Sequence, residues 1–266
     1  MPPSCIFDTR FLQSPIESDM DFRWSIIQGY APLFAKGVLM TLQVSLISIL
    51  IGTVIGLLVG MLRLAEVQHG AWKWPLRCLR WLSGFYVAFF RGTPLFVQIM
   101  LIHFAVMPLL VQQEHGLLIS GELARTIKQD YGAFLSGTVA LSLNAGAYIS
   151  EIFRAGIQSI ERGQSYAAAS LGMNYGLTMR YVVLPQAFRR MLPPLGNEAI
   201  TLLKDSSLVS AIGLAELAYA ARTVAGTYAR YWEPYITISV LYFSMTICLA
   251  LVVSRLENKY SAPHRR

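Results

Sequence analysis

Residues 37–62 form one apolar stretch without a charged side chain, between Lys36 and Arg63. A helix needs about 20 predominantly apolar residues to cross the hydrocarbon core of a bilayer. Because this stretch is longer, it predicts a membrane-spanning helix. The composition agrees, since 55% of the residues are hydrophobic and 14% are charged, against roughly 25% charged in soluble domains. The chain is therefore predicted to be an all-α integral membrane protein.

Four further apolar segments raise the expected number of transmembrane helices to about five. The segment at 95–111 is short unless part of 79–90 precedes it, and the segment at 193–217 carries charges. An odd number of spans places the two ends of the chain on opposite sides of the membrane. The predicted spans are 37–62, 95–111, 131–153, 193–217 and 231–254.

The basic residues set the expected orientation. Intervals 63–91 and 154–190 and the tail from Arg255 carry about twice as many Lys and Arg residues as the alternate intervals. Cytoplasmic loops of membrane proteins are enriched in Lys and Arg. We therefore expect the N-terminus outside, the C-terminus in the cytoplasm, and the protein in the cell inner (plasma) membrane.

This orientation also explains the formal net charge of +7 without a nucleic-acid partner, because no nucleic-acid-binding motif accompanies the basic residues. The three cysteines are far apart and have no metal-ligand spacing, so we expect them to be structural bystanders. The predicted organisation is an external arm at 1–35, a transmembrane domain at 36–256 and a cytoplasmic tail at 257–266.

Residues 111–130 separate two predicted spans and are too polar for the hydrocarbon core. Ile119, Leu123 and Ile127 recur at intervals of four, which favours one short helix with an apolar stripe. The segment is predicted to be an external insert. It is either a capped connector or a contact for an external binding protein, and the sequence leaves both open.

Polar side chains recur at helical spacing inside two predicted spans. A charged side chain near the bilayer centre costs roughly 2.5–3.5 kcal/mol on insertion scales, so Lys204 and Asp205 should face protein or water. We expect the 193–217 segment to lie deepest in the bundle. Each polar residue taken alone serves either as helix–helix contact or as substrate contact, whereas two stripes together favour a transport path. The stripes are Asn144, Tyr148 and Glu151 in one span, and Asn197, Glu198, Thr201, Lys204 and Asp205 in the next.

No catalytic constellation is present in the sequence. It has no phosphate-binding G-x-x-x-x-G-K-[ST] loop and no H-E-x-x-H pair, and its four histidines lie on scattered segments. We expect no catalytic residue, no metal ligand and no cofactor in this chain.

A short polar segment at 163–185 stands between two apolar ones. Residues 165–171 are rich in alanine and are flanked by Gly163 and Gly172, which predicts a short helix of about ten residues and about 15 Å. Its spacing resembles the EAA loop of permease subunits of binding-protein-dependent ABC importers, and Tyr166 stands where that family often has Glu. The matching positions are Ala167, Ala168, Gly172, Val182, Leu184 and Pro185.

Further blocks, in order along the chain, resemble the permeases of polar amino acid ABC importers. Arg91-Gly92-Thr93-Pro94 is similar to a signature of that family, and a helix breaker after a charge marks a turn at the membrane boundary. The other similar blocks are 144–148, 151–156 and 203–208.

The resemblance implies a type I ABC importer permease fold and a defined set of partners. These are a dimer of ATPase subunits that carries ATP and Mg, a second permease subunit (the same chain or a sister chain), an external solute-binding protein and an amino acid substrate. The implied coupling loop spans 154–185, and alternating access would be driven through it. Its coupling residues are Gly163, Gln164, Ser165, Tyr166, Ala167, Ala168, Ala169, Gly172, Leu184 and Pro185.

The expected substrate path combines both polar stripes with two further residues, Gln98 and Ser206. A rival interpretation is a stand-alone secondary transporter or channel, in which Glu151, Lys204 and Asp205 couple the movement of ions or protons. Such a carrier needs no docking helix for a motor. A membrane enzyme is the least favoured class, since no nucleophile–base pair is present.

Overall fold

A computed structural model describes residues 22–64, 73–112, 114 and 116–260. Within these ranges the chain forms nine helices, and its only β-type pairing is one isolated bridge between Val111 and Ile119. The helices are α1 (Trp24–Gly29), α2 (Ala31–Leu64), α3 (Lys73–Gly92), α4 (Leu95–Leu110), α5 (Glu122–Gln158), α6 (Arg162–Ser170), α7 (Tyr175–Ile212), α8 (Leu217–Tyr228) and α9 (Trp232–Tyr260).

Three of these helices, α2, α5 and α9, are each long and apolar enough to cross a membrane. Two pairs of helices meet the same criterion only together. The α3–α4 pair is bent by 111° and the α7–α8 pair by 48°. The total reaches five when each bent pair counts as one span, in agreement with the predicted number.

Several helices continue beyond the predicted segments into residues that look polar. Helix α5 begins at Glu122, so the predicted insert 111–130 ends in a helix, and a π-helical turn at Ile127–Tyr131 continues it into the apolar part of α5. Helix α7 begins at Tyr175, so Leu184 and Pro185 lie in a helix rather than in a loop. Helix α8 was not predicted.

The predicted terminal segments fall partly outside the described residues. Residues 1–21 of the predicted arm 1–35 and residues 261–266 of the predicted tail 257–266 are not described. The described part of the arm is mostly helical, since α1 begins at Trp24 and α2 at Ala31. The described part of the tail is helical as well, because α9 continues to Tyr260.

The centre of the fold is the contact between α2 and α5. Helix α2 presents small residues at every fourth position, and the last three are Gly52, Gly56 and Gly60, all buried. A Cβ atom added at Gly56 would lie 2.7 Å from the Cβ of Ile149 and 3.0 Å from the carbonyl oxygen of Gly146. The two backbones are therefore in direct contact, as small residues at this spacing allow in membrane helices.

The opposite face of α2 carries large apolar side chains, among them Leu46, Leu50, Val54 and Leu58, which are exposed. One face of α2 thus fits a neighbouring helix and the other fits lipid. This division explains how a helix without charged residues between Lys36 and Arg63 selects one orientation, because only the small-residue face permits close approach.

Glu216 joins three helices at the second bend. It is fully buried, and its carboxylate accepts hydrogen bonds from the backbone N–H groups of Ala218 (2.9 Å) and Tyr219 (2.8 Å) at the start of α8. It also accepts hydrogen bonds from the hydroxyl of Tyr242 on α9 (2.7 Å) and of Thr41 on α2 (3.4 Å). The side chain therefore caps α8 and fixes it against α2 and α9.

The contact between α2 and α5 makes a direct prediction for stability. We expect Gly56→Ala to lower the free energy of unfolding by about 1–3 kcal/mol, because the new methyl group overlaps Ile149. The matched control is Gly84→Ala on α3, where an added Cβ meets nothing within 4 Å and should stabilise the helix by up to about 1 kcal/mol. Thermal unfolding of both variants in the same detergent measures the difference, and equal midpoints would contradict the close approach.

Candidate translocation cavity and coupling helix

A cavity of about 550 Å³ lies where α5 approaches α6, between the α3–α4 bend, α5 and α7. Three predicted path residues line it, namely Tyr148, Glu151 and Glu198. Two arginines that were not among the predicted path residues, Arg91 and Arg190, line it as well. The structure therefore brings part of both polar stripes to one space and adds cations to it.

Glu151 is held by three arginines from three helices. Its carboxylate pairs with Arg63 at the end of α2, with Arg154 one turn along α5 at 2.6 Å, and with Arg91 at the end of α3 at 4.0 Å. The side chain is 17% exposed, so the pairing is only partly screened by solvent. Glu151 thus ties α2, α3 and α5 together at the wall of the cavity.

The sequence indicates that Glu151 needs a cationic partner, but not which one. A carboxylate inside a membrane span is expected to pair with a cation, and Arg63 and Arg91 lie in the last turns of α2 and α3. Arg190, in turn, donates a hydrogen bond to the carbonyl oxygen of Ser159. This bond connects α7 to the end of α5 beside the cavity.

Gln98 and Asn144 use their amides to hold the bend between α3 and α4. The Nε2 group of Gln98 donates to the carbonyl oxygens of Phe90 and Thr93, both at 2.9 Å. The Nδ2 group of Asn144 donates to Oε1 of Gln98 at 2.9 Å and to the carbonyl oxygen of Phe90 at 3.2 Å. Both side chains therefore satisfy backbone groups that the bend leaves open, and neither lines the cavity.

The remaining predicted path residues lie on α7 and do not line the cavity. Asn197, Thr201 and Lys204 are exposed on the surface of the single chain, whereas Asp205 is half-buried and Ser206 is buried. On the single chain this face of α7 is exposed, whereas Leu202 and Leu203 on the same helix are buried. The expectation that the segment lies deepest in the assembled bundle stays a prediction.

The predicted short helix is present as α6. It ends at Ser170, and two residues later Gly172 has a φ of +80°, a left-handed conformation that glycine adopts readily. The backbone N–H of Met173 donates to the carbonyl oxygen of Ala168 at 3.1 Å, and that of Gly172 to Ala169 at 2.9 Å. These bonds form a glycine-terminated C-cap, and they explain why the sequence stops the helix at this residue.

Helix α6 has one buried position and a broad exposed surface. Ala168 is buried beneath the helix, while Tyr166 is 68% exposed and Leu171 is 83% exposed. Tyr175, at the start of α7, is exposed as well. Of the other predicted coupling residues, Ser165 is half-buried, and Gly163, Gln164, Ala167, Ala169, Gly172, Leu184 and Pro185 are exposed.

Similar proteins are known for most of this chain. Residues 70–262 match the family described as binding-protein-dependent transport system inner membrane component. The chain is 34% identical over 241 residues to the arginine transport system permease protein ArtQ of Bacillus subtilis (strain 168), covering 91% of this chain and 97% of the relative. It is 36% identical over 240 residues to the glutamine transport system permease protein GlnP of Escherichia coli (strain K12), covering 90% and 98%.

Solved structures share the fold. The chain superposes with a TM-score of 0.73 on a crystal structure of an amino acid ABC transporter with histidines, at 34% identity and covering 90% of this chain and 100% of the other. The MetNI methionine ABC transporter, in an inward-facing conformation, matches with a TM-score of 0.68 and 20% identity, covering 88% and 99%. The chain therefore belongs to the family of inner-membrane components of binding-protein-dependent transport systems, with the fold of a type I ABC importer permease.

Proposed function

We propose that this chain is the permease subunit of an ATP-driven importer of polar or charged amino acids. In this proposal two permease subunits enclose the path, two ATPase subunits bind in the cytoplasm, and an external binding protein delivers the substrate. The N-terminus would lie outside and the tail in the cytoplasm. The observation that carries the proposal is the exposed polar stripe of Asn197, Thr201 and Lys204 on α7.

That stripe is costly for a chain surrounded only by lipid. A lysine near the bilayer centre costs roughly 2.5–3.5 kcal/mol on insertion scales. Helix α9 shows the alternative, because its exposed side chains Val240, Phe243 and Leu251 are apolar. We infer that α9 faces lipid, whereas the α7 stripe faces a water-filled path or the second permease subunit.

The cavity beside α5 has the charges expected for a zwitterionic substrate. Arg91 and Arg190 offer donors for a carboxylate, and Glu198 offers an acceptor for an ammonium group. Its volume of about 550 Å³ lies within the range of roughly 300–1,000 Å³ that is usual for small-molecule sites. We propose that this cavity is the part of the path nearest the ATPase.

The names of the relatives support the substrate class. They are described as transporting arginine and glutamine, and the solved structure is described with histidines. All three are amino acids with polar or basic side chains. We propose the same class of substrate for this chain.

The coupling role rests on the exposed surface of α6. A short helix that leaves Tyr166, Leu171 and Tyr175 uncovered is a suitable docking element, since aromatic and large apolar side chains anchor protein interfaces. ATP-driven closure of the ATPase pair would move α6, and α5 and α7 would follow because they adjoin it on either side. No ATP or Mg site is proposed for this chain.

The rival carrier interpretation has less support. It relies on Glu151 as an ion-coupling group, yet this carboxylate is already paired with three arginines. It also gives no role to the apolar surface of α6. Substrate uptake by the purified chain without an ATPase partner would favour the carrier over the importer.

The docking surface can be tested at its most exposed side chain. We expect Leu171→Glu to weaken binding of the partner ATPase by about tenfold or more, the usual loss when an interface anchor is removed. The matched control is Leu118→Glu, a side chain that is 73% exposed in the segment between α4 and α5. Pull-down of the ATPase subunit with each variant measures the effect. Equal recovery with both variants would contradict the docking role.

The polar stripe can be tested by removing its charge. We expect Lys204→Met to lower ATP-dependent amino acid uptake by about tenfold or more, because a charge-assisted contact is worth roughly 1.5–3 kcal/mol. Yield of the assembled complex should be unchanged or higher, since α7 then carries no charge inside the membrane at this position. Lys36→Met, at an exposed position near the start of α2, is the control. Uptake that matches this control in proteoliposomes would remove Lys204 from the path.

A further inference from the structure

A second cavity, of about 260 Å³, lies between α4 and the beginning of α5. Its walls include His103, Phe104 and Met107 on α4, and Ile127 and Lys128 on α5. It shares no lining residue with the cavity beside α6. The two cavities are roughly 30 Å apart along α5, at 1.5 Å per residue, and the proposed transport path does not use the second one.

Both helices widen where they border this cavity. Residues Ile102–Val106 of α4 and Ile127–Tyr131 of α5 form π-helical turns. Such turns are rare and occur frequently at functional sites. Gly132, immediately after the second turn, also lines the cavity, and a Cβ atom added there would meet nothing within 4 Å. The cavity therefore lies where both helices have π-helical turns and where Gly132 has no side chain to fill the space.

The cavity is positively charged. Among the described residues that line it, His103 and Lys128 are the titratable ones, and no carboxylate is present. The ion pairs of the described residues do not include Lys128. The carboxylates nearest in sequence do not line it, since Asp130 lines an adjoining cavity and Glu122 pairs with Arg125 at 3.8 Å.

The surroundings of Lys128 are those of a membrane boundary. Lys128 lies on the polar side of Tyr131, where the apolar part of α5 begins. Phe104 in the wall of the cavity, and Leu101 and Leu123 on the same two helices, are exposed. A cation at the boundary of a span, above an exposed apolar surface, fits a molecule with an anionic head and an acyl chain.

From this geometry we propose that the cavity binds an anionic phospholipid. Lys128 contacts the phosphate, and the acyl chain runs along Phe104 and Met107. His103 is oriented by the hydrogen-bonding contact of its Nδ1 atom with the hydroxyl of Ser136, at 2.6 Å. Bound lipid would hold α4 against α5 at the end of the bundle opposite α6. The proposal is independent of which substrate the chain transports.

Native mass spectrometry of the full-length chain, titrated with phosphatidylglycerol in detergent, tests the proposal. We expect Lys128→Gln to weaken lipid binding about fivefold, since one basic residue near a membrane surface is worth about 1 kcal/mol. The matched control is Arg125→Gln, which removes the same charge one turn away on a side chain that does not line the cavity. Equal binding by these two variants would overturn the proposal.

A second variant tests the space rather than the charge. Gly132→Leu fills the cavity and should abolish the tightly bound lipid while the variant retains the unfolding temperature of the wild type in lipid-free detergent. Inorganic phosphate serves as the competing ligand. If phosphate alone binds the wild type as tightly as phosphatidylglycerol does, the site is an anion site open to solution and the lipid assignment is wrong.

Discussion

The close approach of α2 and α5 is the contact on which the other features of the structure depend. Gly52, Gly56 and Gly60 bring the two backbones together, and Arg63 follows less than one turn later on the same helix. That register places the Arg63 guanidinium at the Glu151 carboxylate. A shift of one residue would turn Arg63 by about 100° around the helix and remove the ion pair. Packing of small apolar residues therefore determines which polar groups meet at the cavity.

Polar side chains inside this bundle fall into two physical groups. The first group forms hydrogen bonds within the chain, because each side chain satisfies backbone or side-chain groups at a bend or a helix start. It comprises Gln98, Asn144 and Glu216. Lys204 and its neighbours on α7 are exposed on the single chain. A charged side chain that faces lipid has an unfavourable free energy of insertion. The second group therefore indicates where water or a partner subunit belongs, and this distinction is visible only in three dimensions.

The sequence predicted the features that depend on local pattern. Apolar runs located the spans, and the alanine-rich segment with its flanking glycines located α6, because both signals lie within a few neighbouring residues. A turn at Arg91-Gly92-Thr93-Pro94 was also predicted from local pattern, and the chain bends there by 111°. The contact that holds this bend and the whole of helix α8 were missed, since both rely on side chains distant in sequence, such as Asn144 and Tyr242. The arginine partners of Glu151 were missed for the same reason. Spacing along α5 revealed the carboxylate, but only tertiary contacts show what neutralises it.

The connection between α6 and the cavity follows from how tightly α5 and α7 are joined at this end. Ile160, Val183, Ala187 and Met191 form one buried cluster that spans the α5–α6 connection and α7. Arg190 adds a hydrogen bond to the Ser159 carbonyl across the same boundary. A force applied to α6 would thus act on α5 and α7 as one packed unit, and both walls of the cavity belong to that unit. The proposed coupling requires this tight packing, because a docking helix can open or close a cavity only if the walls move with it.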